Sequence, residues 1–151
     1  MILRSAHAGL WLLAWLATTW AMSVSASDFW MKDAELRTSF AGATIDGQYA
    51  DRRTFRESYS AAGSLEYREQ PTNKHWTGHW SVVRDRFCTI YDNFGTGGCF
   101  RVRRVSLNCF EFYFDTRTEE EARRSTLRNP AWTARAWLID HASTCEERPM
   151  V

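Results

Sequence analysis

The pattern of apolar and polar positions divides the chain into four zones. Leu10 to Met22, LWLLAWLATTWAM, is a nearly unbroken apolar run. SDFWMKDAELRTSFAG follows with helical spacing: Leu36 and Phe40 fall four apart on one face, Ser27 or Asp28 can cap the start, and Gly42 can end it. Beyond Gly42 the period changes to two. RTFRESYS, LEYREQ, HWTGHWSVVR, RFCTIYD, CFRVRRV and CFEFYFD read as six strands, separated by the turn-forming stretches AAGS, QPTNK, RDR, NFGTGG and SLN. TEEEARRSTL returns to a helical pattern, with Thr118 as cap and acidic residues in the first turn. Asn129-Pro130 stops it, and WTARAWLID reads as a last strand. Short strands with brief connections imply a mainly β fold: an antiparallel meander closing into a small barrel or half-barrel. A short N-terminal helix and one helix near the C-terminus complete it.

The register of the cysteine hairpin follows from two constraints. If Cys88 and Cys99 lie directly opposite, Tyr91 pairs with Thr96 around the loop Asp92 to Gly95, and Phe87 faces Phe100 on the other side of the sheet. Facing strand residues have the Cα separation a disulfide needs. Closing a loop of about 12 residues contributes on the order of 2 to 3 kcal/mol in the chain-entropy model. Cys109 and Cys145 then pair by elimination. Carried across a Ser106-Leu107-Asn108 turn, the register places Val102 against Phe112, Phe100 against Phe114, Arg103 against Glu111 and Arg101 against Tyr113. It also sets Arg86 beside Arg101 and Arg84 beside Arg103, which reads as an exposed sheet surface of charge pairs and aromatic edges.

The apolar run places the chain outside the cytoplasm. Arg4 precedes it and Val24-Ser25-Ala26 follows it, the layout of an export signal cleaved before Ser27. Residues 1–26 are thus expected to be removed, leaving 27–151 as one disulfide-braced domain with no stable membrane span, periplasmic or secreted. Loss of Arg4 reduces the 19 Lys+Arg to 18, equal to the 18 Asp+Glu, and a charge near zero is unlike that of a nucleic-acid binder.

Candidate chemistry is sparse. No GxSxG, HExxH, phosphate loop or dinucleotide fingerprint occurs. His75 and His79 would lie about 13 Å apart on a strand, too far to share a zinc ion. The glycines of NFGTGG suit a turn, Glu119 to Glu121 suit a helix start, and Asp140 and His141 are adjacent and diverge on a strand. No catalytic, metal or cofactor site is expected.

LRTSFAGATIDG, GHWSVVRDRFCTIY and CFRV resemble a bacterial family of small exported proteins defined as a domain of unknown function. Its pattern falls here on Leu36, Phe40, Gly42, Thr44, Gly47, Gly78, Trp80, Asp85, Cys88 and Cys99, within residues 33–102. The resemblance implies an exported β-rich domain and no reaction. Gly78-His79-Trp80 also has the Gly-x-Trp form of lipocalins, but mid-chain instead of on a first strand.

The resulting expectation is a small binding or interaction domain of the bacterial envelope. Its partner would be an envelope or extracellular protein, or a small apolar ligand. Trp76, Trp80, Arg101, Arg103 and Tyr113 are the candidate surface. A secreted factor acting on a host or neighbouring cell is the alternative, and an envelope enzyme or enzyme inhibitor another. A hollow barrel lined by Trp76, Trp80, Phe100 and Phe112 would favour a ligand; a filled barrel with an exposed aromatic patch would favour a protein.

Overall fold

The structure is a computed structural model that describes residues 28–93 and 95–145. The apolar run and the expected cleavage site lie outside the described residues. Eight strands form a closed antiparallel barrel in chain order: β1 (Thr44–Tyr49), β2 (Thr54–Tyr59), β3 (Ser64–Gln70), β4 (His75–Val83), β5 (Arg86–Tyr91), β6 (Gly97–Ser106), β7 (Cys109–Phe114) and β8 (Ala134–Leu138). Closure comes from β8 pairing with β1, Ile45 opposite Leu138 and Tyr49 opposite Ala134. Two short helices accompany it, α1 (Asp33–Phe40) and α2 (Glu119–Arg123).

The alternation of side chains fixes which residues fill the barrel. In β3, Leu65, Tyr67 and Glu69 are buried while the residues between them are exposed, and β4 continues with Gly78, Trp80 and Val82 inward. β1 is a strand that the hydrophobic pattern does not announce, because its inward positions are Ile45 and Gly47. A Cβ at Gly47 would lie 2.3 Å from Phe55 Cζ, so the neighbouring strand's ring occupies the volume a side chain would otherwise take. The β4–β5 turn is two residues, Arg84 and Asp85, with φ of 50° and 60°. Positive φ at both central residues is the geometry whose twist suits a two-residue hairpin. Arg84 therefore sits in a turn and not beside Arg103 on a strand.

α1 closes one end. Leu36 and Phe40 are completely buried, and the Phe40 ring lies 5.0 Å from Phe87, 5.2 Å from Phe110 and 5.7 Å from Phe112. Polar contacts hold the helix in place: Arg37 Nη2 donates to Val82 O at 2.7 Å, Asp33 N to Asp85 Oδ1 at 2.8 Å, and Arg104 Nη2 to Ser39 Oγ at 2.8 Å. The helix begins at Asp33, later than a Ser27 or Asp28 cap would give, with Lys32 N donating to Glu35 Oε2 at 2.9 Å. Residues 28–32 instead lie against β6, where Met31 N bonds Val102 O at 2.8 Å. Gly42, at φ 78°, follows the helix as expected. α2 is capped by Thr118, which accepts from Glu121 N at 3.2 Å, but it ends at Arg123, before Asn129-Pro130.

Both disulfides are present, Cys88–Cys99 and Cys109–Cys145. The first joins directly opposed residues, and Tyr91 N bonds Thr96 O at 2.8 Å around the expected loop. The second anchors a tail that buried Asn108 also holds: its Oδ1 accepts from Leu138 N at 2.8 Å and its Nδ2 donates toward the carbonyls of Leu138, His141 and Ala142. Two disulfides fit an oxidising extracellular or periplasmic environment. Among the described residues, no helix is long and apolar enough to cross a membrane.

Candidate functional site: an aromatic cavity with a buried carboxyl group

The end of the barrel away from α1 is hollow. Its cavity has a volume of about 240 Å³ and is walled by Ile45, Tyr49, Phe55, Phe87, Tyr91, Phe100, Phe112 and Ala134, with exposed Thr96, Gly97 and Phe114 at the rim. Strand β2 supplies the polar element. Period two in Thr54–Tyr59 turns Phe55, Glu57 and Tyr59 inward together, so a carboxyl group stands between two aromatic rings inside the barrel.

Glu57 is 6% exposed and both of its oxygens are engaged. The Tyr59 O–H donates to Oε2 and the Tyr91 O–H to Oε1. Burial pushes the Glu57 carboxyl above its ordinary range, and the two phenol hydrogen bonds pull it back. Burial also raises Tyr59 and Tyr91, and the neighbouring Glu57 adds to both shifts. Tyr49 is raised by burial first and then by its bond to Tyr67, 3.3 Å away. Glu57 is the single charged side chain among the lining residues; the others are aromatic, aliphatic, threonine or glycine.

The candidate residues fall on both sides of the wall. Phe100 and Phe112 line the cavity. Trp80 is 7% exposed, fills the closed half against Phe87 at 5.6 Å, and donates its N–H to Ser60 O at 2.8 Å. Trp76, half-buried, stacks on Tyr67 at 4.8 Å and meets Tyr91 at 6.1 Å. Neither tryptophan is among the cavity-lining residues, contrary to the expected lining.

Arg101, Arg103 and Tyr113 lie on the outer face of β6 and β7 in the expected register, Arg101 opposite Tyr113 and Arg103 opposite Glu111. They do not form an open sheet surface. Residues 28–32 and α2 cover them: Arg103 lies over the Phe29 ring at 4.7 Å, Arg101 over Trp30 at 5.7 Å, and Tyr113 is completely buried. Glu111 takes Arg135 as its ion-pair partner at 2.5 Å and accepts from Tyr113 O–H at 2.5 Å. The partner of Glu111 is thus the residue opposite it on β8 and not the one opposite it on β6.

His75 and His79 face outward beside Glu66 and Asp92, at 3.8 and 3.7 Å. Asp140 and His141 lie in an exposed turn beyond β8. The Glu57–Tyr59–Tyr91 cluster was not singled out in the sequence, although Phe55, Glu57 and Tyr59 at alternate positions carry its signal. Comparison with protein-family models found no match, and comparison with curated proteins found none. The cavity itself therefore carries the functional argument.

Proposed function

We propose that the protein is an exported binding protein that holds a small, largely apolar ligand in the open end of its barrel. The observation that carries this reading is the aromatic-walled cavity of about 240 Å³. An apolar cavity of about 150 Å³ accommodates benzene, and the additional space here equals about three water volumes. One ring with a short tail fits. Small-molecule sites combine such apolar walls with a few placed polar groups, and Glu57 with its two tyrosines supplies them. The burial of Trp80 and Tyr113 removes most of the aromatic face that recognition of a protein partner would use. The disulfides and the expected leader support a periplasmic or extracellular site of action.

The test is calorimetric titration with 2-phenylethanol, a neutral single-ring probe. The wild-type protein is expected to bind it with one site, and Ala134→Phe, which fills the cavity from β8, is expected to abolish binding while keeping the fold. Absence of binding by the wild type up to about 10 mM would overturn the proposal, because a ligand this small in a matched pocket should reach at least millimolar affinity. Undiminished binding by the filled variant would overturn it equally.

A further inference from the structure

The polar end of the cavity specifies the charge of the ligand. We infer that Glu57 is the counter-ion for an organic cation, and that the protein takes a small molecule pairing an apolar ring with an ammonium group. The inference rests on the ligand-binding reading above and adds the chemical class.

Three observations converge. The Glu57 carboxyl faces the cavity, yet the lining holds no lysine, arginine or histidine to balance it. Three arginines of the barrel pair with other carboxylates: Arg53, which also lies over the outer side of the Tyr49 ring at 5.1 Å, with Asp51 and Glu69, Arg56 with Asp46, and Arg135 with Glu111. A carboxylate buried without a cation is costly, and a charged partner inside the same cavity removes most of that cost. The hydrogen-bond pattern points the same way. Tyr59 and Tyr91 each hold one Glu57 oxygen, and with both phenols donating each oxygen keeps a further lone pair for a ligand donor. Finally, the rest of the lining is aromatic, aliphatic, threonine or glycine, so it holds no charged group that would pair with an anion. A carboxylate ligand would meet like charge at close range.

The alternative role for the cluster is purely architectural, a polar clasp joining β2 to β5. The two roles separate by ligand charge. Calorimetry compares 2-phenylethylamine, protonated at neutral pH, with 2-phenylethanol and phenylacetate on the wild type, Glu57→Gln and Tyr91→Phe. The amine is expected to bind the wild type at least roughly tenfold more tightly than the alcohol, with phenylacetate weakest, as a desolvated ion pair requires. Glu57→Gln should abolish the amine's advantage while changing alcohol affinity by less than about threefold, since the amide keeps the shape and loses the charge. Tyr91→Phe removes one of the two hydrogen bonds that favour the ionised carboxyl and should reduce the amine's advantage without abolishing it, and the ranking of the three probes on the wild type keeps the inference testable if neither variant folds. Equal affinity of amine and alcohol for the wild type overturns the cation assignment and leaves the ligand cavity standing. Failure of 2-phenylethanol to bind the wild type overturns the ligand cavity and this inference with it.

Discussion

Phe40→Ala tests whether α1 is the plug that makes the barrel a closed cup. The ring is completely buried and meets Phe87, Phe110, Phe112 and Tyr59, the last at 6.1 Å. Truncating a buried phenylalanine costs about 3 to 5 kcal/mol, and each 40 Å³ of void left unfilled accounts for about 1 kcal/mol of that. Relaxation is restricted here. The surrounding rings sit on a continuous hydrogen-bonded ladder, and Arg37, Asp33 and Arg104 keep the helix docked after the ring is gone. The upper half of the range is therefore expected, about 4 to 5 kcal/mol. For a domain of this size that corresponds to a melting temperature lower by about 10 to 20 °C. Urea unfolding followed by tryptophan fluorescence measures it, since Trp80 stacks on Phe87 next to the new void. A loss below about 1 kcal/mol would refute the reasoning, because a plug that tolerates removal of its main ring is not closing the barrel.

Other perturbations address other parts of the account. Cys88→Ser should cost about 2 to 3 kcal/mol of stability by releasing the hairpin loop, read as a lower melting temperature in non-reducing buffer; an unchanged value would contradict the bracing role. Gly78→Ala should destabilise by about 1 to 3 kcal/mol or more, because its Cβ would lie 2.1 Å from the backbone oxygen of Ile90; equal stability would mean that β4 and β5 separate freely. For pH, burial raises Glu57 in the folded state while Tyr59, Tyr91, Tyr49 and Tyr67 face it as neutral phenols. A carboxyl with a raised folded pKa loses stability as pH climbs from the unfolded value toward the folded one. The stability of Glu57→Gln relative to wild type should thus rise with pH across that window, and a flat difference would refute it. Mass spectrometry of material from outside the cytoplasm should find a chain starting at Ser27; a full-length product there would overturn the expected cleavage.

Much of the fold was legible because independent constraints coincided. Opposing Cys88 and Cys99 fixed the turn, the inward Phe87–Phe100 pair and the next hairpin at once, and a one-residue slip would have broken all of them. β1 escaped because an inward glycine under the Phe55 ring erases the hydrophobic alternation on which strand recognition depends. The partners of the arginines escaped for a different reason. Their register was correct, but Phe29, Trp30 and α2 arrive from distant parts of the chain and cover them, and no local pattern encodes that cover. The candidate site lay between these cases. A glutamate between two inward aromatics on β2 is visible in RTFRESYS, yet its partner Tyr91 is 34 residues away and is found only once the barrel has closed.

Whether the barrel is a ligand holder is tested most directly by amide NMR during titration with 2-phenylethanol. The account predicts saturable shifts at Tyr49, Glu57, Thr133 and Ala134, which line the cavity from β1, β2 and the start of β8. Shifts confined to His79, Ser81, Ile90 and Cys99, in the groove beside the Cys88–Cys99 disulfide, or no shifts at all, would contradict it.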